Sequence, residues 1–170
     1  MSRAVVDALR TRLGASVIDH HALAGDDTVI LAGERIVEAC RFLRDDEPLA
    51  MKVLMDLTAV DYLGRAKRFD IVYHLYSPSL GHRVRLKAPL DDVEEGHPEI
   101  DSVASLWASA NWYEREVWDL YGIRFRGHPD LRRVLLYEEF IGHPLRKDYP
   151  KDRRQPLVRR SPMQRSDGDS

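Results

Sequence analysis

Apolar residues recur every three or four positions in four stretches of the chain, which is the spacing of a helix with one buried face. The helices predicted from this spacing cover residues 4–13, 34–43, 100–110 and 111–121. Gly14 follows the first helix and is expected to end it. At the last helix, Asn111 and Glu114 are expected to form an N-terminal capping box, and Gly122 can take the left-handed conformation that closes the helix.

Between the helices lie short stretches rich in β-forming residues, several of them alternating between apolar and polar side chains. The predicted strands cover residues 17–23, 28–31, 51–59, 69–76 and 83–88. The last two are joined by the turn-rich residues 77–81, which favours an antiparallel hairpin. This order of elements predicts an α+β fold of two layers, with helices packed on one face of a largely antiparallel or mixed sheet.

The composition changes near His143. Residues 144–165 contain four prolines, eight basic residues and two aspartates, so their net charge is +6. A segment with so few apolar residues cannot bury enough surface to fold alone. We therefore expect one folded domain over residues 1–142 and an extended, basic, proline-rich C-terminal tail over residues 143–170.

Composition also limits the classes of function. The 26 basic and 28 acidic residues nearly cancel, whereas a nucleic-acid-binding domain is normally strongly basic. Cys40 is the single cysteine, so the chain can supply only one of the thiolates that an iron–sulfur cluster needs. No glycine motif that cradles phosphate is present. No secretory signal is seen, and no apolar run approaches the ~20 residues that cross a bilayer. Any association with a membrane is expected to be indirect.

Two groups of side chains invite a catalytic interpretation. Glu114, Glu116 and Asp119 could form an acid–base cluster. We favour a structural role, in which the acids complement the helix dipole and Arg115 pairs with Asp119 four positions on. The seven histidines lack the pair spacing of zinc ligands.

Two functional alternatives remain open at this point. The first is a metal hydrolase that uses His128, His143 and Glu116. The second is an RNA-binding module that acts through the basic tail, for which affinity would fall steeply with salt. Neither is supported by a motif.

The three tryptophans, Trp107, Trp112 and Trp118, all lie within two neighbouring predicted helices. Core packing explains about half of this cluster, and the other half is expected to be interface, because tryptophan, tyrosine and arginine are enriched at binding hot spots. The arginines of the tail are expected to lie along acidic grooves of a protein partner, since the guanidinium fork matches carboxylates.

Three stretches resemble the signature of a known family. Residues 114–123 read EREVWDLYGI, residues 127–136 read GHPDLRRVLL, and residues 142–150 read GHPLRKDYP. Together they resemble the 30 kDa subunit family (lettered C in bacteria) of the proton-pumping NADH–quinone oxidoreductase, respiratory complex I. Residues 56–62 and the paired strands after them are similar in layout. Related subunits of membrane-bound hydrogenases and photosynthetic NDH-type complexes are the alternative.

The resemblance implies a non-catalytic structural subunit of the peripheral arm, in a complex that couples electron transfer from NADH to quinone with proton pumping. FMN, iron–sulfur clusters and quinone would lie in partner subunits, and this chain would bind no cofactor, no metal and no nucleic acid. Its partners would be the quinone-site subunit, which is lettered D, and the cluster-carrying subunits B and I. The complex would place it peripherally on the cytoplasmic side of a bacterial inner membrane.

We predict that the domain docks through residues 112–136 and that the tail wraps along partner subunits and orders on binding. Arg132, Arg133, Arg146 and Lys147 are expected to make charge-assisted contacts with partner carboxylates. The full predicted interface consists of Glu114, Arg115, Glu116, Trp118, Asp119, Tyr121, His128, Arg132, Arg133, His143, Pro144, Leu145, Arg146, Lys147, Asp148 and Tyr149.

Overall fold

The computed structural model of the chain describes residues 2–156. The α-helices within this part are α1 (Ser2–Leu13), α2 (Ile36–Asp45) and α3 (Ala110–Tyr121), and two short 3-10 helices cover Gly14–Ser16 and Gly33–Arg35. The strands are β1 (Val17–Leu23), β2 (Asp26–Leu31), β3 (Val53–Asp61), β4 (Phe69–Ser77), β5 (His82–Leu90), β6 (Glu99–Asp101) and β7 (Arg124–Arg126).

Five strands form one mixed sheet in the order β1-β2-β5-β4-β3. Neighbouring strands are antiparallel except β2 and β5, which run parallel. The predicted hairpin is confirmed: β4 and β5 pair from Phe69 opposite Leu90 to Ser77 opposite His82. β6 and β7 form a separate parallel pair. The two-layer α+β fold predicted from the sequence is confirmed.

The hydrophobic core lies between one face of the sheet and the helices. Alternate residues of β4 are fully buried on this face, as the period of two in a strand requires. Full burial of each large apolar side chain contributes about 1.5–3 kcal/mol. The buried residues that α1, α2 and β4 contribute are Val5, Val6, Leu9, Leu13, Ile36, Ala39, Cys40, Leu43, Phe69, Ile71, Tyr73 and Leu75.

The predicted helix over residues 100–110 is wrong. Ile100 lies in β6 opposite Phe125, and a series of turns leads from there to α3. Val103, Trp107 and Ala110 are buried at helical spacing, which is the pattern that favoured a helix. Turn hydrogen bonds, for example from the Trp107 amide to the Val103 carbonyl (3.2 Å), achieve this burial without a continuous helix.

The two ends of α3 differ in how well the sequence predicted them. The helix begins at Ala110 after Ser109, and no side chain caps its N-terminus, so the capping box predicted for Asn111 is wrong. Gly122 ends the helix as predicted, with φ +73° and its amide bonded to the Trp118 carbonyl (2.9 Å).

α3 lies alongside the edge strand β3, where side chains satisfy the outward carbonyl groups of that strand and of the residue before it. The Trp107 indole donates to the Lys52 carbonyl (3.0 Å), and the Tyr113 hydroxyl donates to the Met55 carbonyl (2.9 Å). This edge of the sheet is therefore covered, as sheet edges in stable proteins usually are.

Candidate functional site

The three stretches that carry the family signature meet around α3. Residues 127–136 lie along one side of the helix, and residues 143–148 cross its C-terminal end to reach the sheet. The amide of Leu145 donates to the carbonyl of Leu120 (3.0 Å), which joins the last stretch to the helix directly. The candidate functional site is this surface built on α3.

Glu114 is fully buried beneath the helix rather than capping it. Its carboxylate accepts hydrogen bonds from the Ser102 hydroxyl (2.6 Å) and the Val103 amide (2.7 Å), so it fastens α3 to the turns that follow β6. Burial raises the pKa of the Glu114 carboxyl to about 7, although these two hydrogen bonds oppose the rise.

His128 is held by backbone groups. Its Nδ1 accepts from the amide of Asp130 (3.0 Å), so its Nε2 carries the proton and donates to the carbonyl of Asn111 (3.1 Å). Burial lowers the pKa of His128. With both ring nitrogens engaged, His128 positions residues 127–130 against α3. No group of three or more His, Cys, Asp or Glu side chains within residues 2–156 is arranged to hold a metal ion.

Replacing Glu114 with glutamine is expected to change how stability depends on pH. The folded-state pKa of about 7 exceeds the usual 4.5, so the folded chain binds a proton more tightly than the unfolded chain. The stability contributed by this proton is fully present below pH 4.5 and is lost as the pH rises towards 7. Between about pH 5 and pH 8, the wild type should lose about 2–3 kcal/mol relative to the variant.

Urea unfolding of both proteins at several pH values measures this difference. His143, whose pKa is lowered chiefly by burial, acts in the opposite direction, but it is present in both proteins and its effect cancels in the comparison. Burial lowers the pKa of His128 as well, and because its Nε2 lies 3.9 Å from the Glu114 carboxylate, its contribution changes with the substitution and belongs to the measured difference. Equal pH dependence in the two proteins would show that Glu114 does not titrate in this range.

Asp119 holds the second signature stretch onto α3. Its Oδ2 accepts from the amides of Val134, Leu135 and Leu136 at 3.1, 2.8 and 2.8 Å, and its Oδ1 pairs with Arg133 at 2.6 Å. The carboxylate is fully buried, which opposes ionisation, yet the amides and Arg133 hold its pKa below the usual range.

The predicted Arg115–Asp119 ion pair is wrong, because Asp119 pairs with Arg133. Arg115 instead donates to the carbonyls of Arg132 (3.1 Å) and Arg133 (3.2 Å). Its guanidinium also stacks over the Trp112 ring, 4.9 Å from the centroid. The charged groups of Arg115 and Asp119 are therefore both held by residues 132 and 133, which lie well beyond the helix in the sequence.

The tryptophans have three different environments. Trp107 is buried in the core, whereas Trp118 packs against His97 (4.8 Å between ring centroids) and His143 (5.5 Å), which also contact each other (5.7 Å). His143 Nδ1 donates to the carbonyl of Asp119 (2.9 Å). Trp112 is 60% exposed. It lies within the range predicted for docking, residues 112–136, although it was not named among the individual interface residues.

His143 lies so close to Gly122 that a Cβ at that position would be 2.5 Å from the His143 ring. Glycine is therefore required at position 122 for two reasons: the backbone is left-handed there, and the His143 ring leaves no room for a Cβ.

A cluster of charges joins residues 146–148 to the sheet. Arg68 donates to both carboxylate oxygens of Asp61 (2.8 and 2.7 Å), to Asp92 (2.6 Å) and to Asp148 (3.0 Å). These hydrogen bonds raise the pKa of Arg68, and Arg68 lowers the pKa of Asp148 to about 2. We call these four residues the Arg68 cluster. The sequence offered no signal for it, because its members are far apart along the chain, with Asp148 following Arg68 by 80 positions.

Residues 146 and 147 extend the contacts of the Arg68 cluster. Arg146 donates to both oxygens of Asp92 at 3.1 and 3.0 Å, and the amide of Lys147 donates to Asp61 at 2.7 Å. Residues 143–156 contain no helix or strand but contact the folded domain, and residues 157–170 of the predicted tail lie outside the described residues.

The structure divides the predicted interface residues by exposure. Glu114 and Asp119 are buried, and Arg133 and Arg146 are bonded within the chain. The exposed members are available to a partner, and their contact with one stays a prediction. These exposed residues are Glu116, Arg132, Leu145, Lys147 and Asp148, of which Arg132 also pairs with Asp130 and Asp148 with Arg68 inside the chain. The half-buried residues are Arg115, Trp118, Tyr121, His128, His143, Pro144 and Tyr149.

None of the helices within residues 2–156 is long and apolar enough to span a bilayer.

Comparison with known proteins identifies similar chains. The family model described as "Respiratory-chain NADH dehydrogenase, 30 Kd subunit" matches residues 29–155. The NADH-quinone oxidoreductase subunit lettered C from Geotalea uraniireducens is 47% identical over 149 residues, covering 88% of this chain and 87% of the relative. Its counterpart from Geobacter sulfurreducens is 48% identical over 150 residues, covering 88% and 89%.

One solved structure has a similar fold. A chain of the membrane-bound sulfane sulfur reductase, an archaeal respiratory membrane complex, superposes with a TM-score of 0.72 and covers 88% of this chain and 85% of its own length. The sequence identity is 20%, so this likeness concerns the fold alone.

Proposed function

Because the chain belongs to the family of the 30 kDa subunit of respiratory-chain NADH dehydrogenase, we propose that it is a non-catalytic structural subunit of a proton-pumping NADH–quinone oxidoreductase. The observation that carries this proposal is the family match over residues 29–155, which includes all three signature stretches. The buried acids of these stretches and of the sheet hold α3, residues 127–136 and residues 143–148 together, which supports a positional role.

In this role the chain braces the quinone-site subunit and lies near the cluster-carrying subunits B and I. FMN, iron–sulfur clusters and quinone belong to the partner subunits. The chain lies peripherally, on the cytoplasmic side of a bacterial inner membrane. By holding its partners in fixed positions it keeps the distances between their electron carriers constant, without contributing a reacting group of its own.

An alternative is a homologous subunit in a related membrane-bound complex that does not oxidise NADH. The fold shared with a chain of the archaeal sulfane sulfur reductase is consistent with this alternative. Whether the purified complex oxidises NADH distinguishes the proposed function from this alternative.

The test is to purify the tagged full-length chain from membranes solubilised in a mild detergent. We expect it to bring down a complex that contains FMN and iron–sulfur clusters and oxidises NADH with a quinone acceptor. A complex that lacks NADH oxidation would favour the alternative. A chain recovered alone and monomeric would contradict both.

The contribution of the tail is tested by a chain that ends at Pro156. Ending the chain at Ile141 would also remove the bonds from Lys147 to Asp61 and from Asp148 to Arg68, so a loss of binding could reflect damage to the domain. Weaker retention of partners by the chain ending at Pro156 is expected if residues 157–170 wrap along them. Equal retention would contradict that role.

A further inference from the structure

Trp112 is a large aromatic side chain that the folded chain leaves mostly exposed. Its exposure is 60%, while Trp107 is buried and Trp118 packs against two histidines. Tryptophan is rarely left in water by a folded chain, because it carries more apolar surface than almost any other side chain. Leu135, on the segment beside α3, is 59% exposed as well.

The exposed ring of Trp112 is held in place by the side chain of Arg115. Arg115 stacks over it at 4.9 Å, and the guanidinium is itself fixed by the carbonyls of Arg132 and Arg133. A side chain that is already ordered before binding loses little conformational entropy when a partner covers it. The ordered ring therefore favours a role for Trp112 in binding a partner.

The charges around Trp112 fall into two classes. Arg132 pairs with Asp130 and Arg133 pairs with Asp119, so both are neutralised inside the chain. Arg115 and Glu116 have no ion-pair partner among the described residues, and they lie three and four positions after Trp112, which places them beside it on the helix. One positive and one negative charge therefore flank the exposed ring.

We propose that Trp112 is the central residue of the docking surface and inserts into an apolar pocket on a partner subunit. The rim of that pocket carries a carboxylate facing Arg115 and a basic side chain facing Glu116, because those are the two charges beside Trp112 that have no ion-pair partner within residues 2–156. The inference rests on the proposed function and names the residue and the partner chemistry through which docking occurs.

The test compares W112A with wild type in the tagged full-length chain, expressed in cells that lack the untagged copy. A hot-spot tryptophan corresponds to a loss of affinity of about 30-fold or more on truncation. We expect the same order of loss in the partner subunits retained by W112A, and partial recovery in W112F. Because Trp112 is exposed, the thermal unfolding midpoint of W112A should match that of the wild type.

The matched control is L23A, which removes a 73% exposed apolar side chain from β1, at the opposite edge of the sheet from α3. L23A should retain partners as the wild type does. R115A should lose part of the retention, because it removes both the support of the ring and one of the flanking charges.

The outcomes separate this inference from the proposed function. If the wild type brings down the complex and W112A does so equally well, the docking role of Trp112 is overturned while the proposed function stands. If the wild type brings down nothing, the proposed function fails. If the wild type forms a homodimer that W112A abolishes, the occupant is a second copy of the chain and the inference is overturned.

Discussion

Replacing Arg68 with alanine should destabilise the folded chain by about 3–5 kcal/mol, the usual cost of removing one partner of a buried ion pair. The Asp61 carboxylate is fully buried and takes two of its hydrogen bonds from Arg68. Without the guanidinium it would remain as a buried charge with only the amide of Lys147 for compensation. R68K should recover little, because an ammonium group cannot make the same paired contacts.

Urea unfolding measures the effect, and R126A is the control. Arg126 and Asp101 form an ion pair at 2.8 Å in which both side chains are largely exposed, so its loss should cost about 1 kcal/mol or less. Similar losses for R68A and R126A would contradict the structural importance of the Arg68 cluster.

The same cluster should weaken in acid. Arg68 holds the pKa of Asp148 at about 2, below its usual range, so the stability that this ionised carboxylate contributes is present above about pH 4 and is lost as the pH falls towards 2. The wild type should lose stability over this range more steeply than R68A does.

Replacing Asp119 with alanine is expected to have a comparable effect, about 3–5 kcal/mol, for a different reason. One carboxylate oxygen satisfies the amides of three consecutive residues, 134–136, while the other pairs with Arg133. Removing it leaves these partners without their acceptor, and the segment beside α3 loses the bonds that set its position.

Limited proteolysis distinguishes this local effect from general unfolding. We expect cleavage within residues 128–142 to accelerate in D119A before the rest of the chain becomes sensitive. E116Q is the control, because Glu116 is exposed on the same helix and has no bonded partner among the described residues. Slow cleavage of that segment in D119A would show that other contacts hold it.

The elements that follow from local pattern could be predicted from the sequence. The alternation in residues 69–76 and 83–88, with a short turn between them, specified the β4–β5 hairpin. Gly122 marked the end of α3 because glycine adopts a positive φ at little cost. The helical spacing failed only over residues 100–110, where successive turns bury the same face.

The candidate site was harder to predict from the sequence, because its contacts join residues that are far apart along the chain. Glu114 and Asp119 look like ordinary surface acids in the sequence, since nothing nearby shows that Ser102 and Val103 or residues 133–136 will enclose them. The resemblance identified the family correctly. It could not show that several of the charges in its signature stabilise the chain internally.

Trp112 illustrates the same limit. It belonged to a cluster of tryptophans for which core packing and interface were both expected. Only the structure distinguishes the buried Trp107 from the exposed Trp112, because their burial depends on contacts with residues that are distant in the sequence, such as that of Trp107 with Lys52.

The Arg68 cluster also bears on when the protein is completed during synthesis. Arg68 and Asp61 are made early, whereas Asp148 follows Arg68 by 80 residues. At translation rates of about 5–20 residues per second, that interval lasts about 4–16 seconds. The last strand of the five-stranded sheet ends at Leu90, so for most of this interval all strands of that sheet have been synthesised while Asp148 has yet to be made. The Arg68 cluster is therefore completed only after Asp148 has been synthesised, so a chain interrupted before residue 148 would contain every strand of the five-stranded sheet while Arg68 lacked one of its three carboxylate partners.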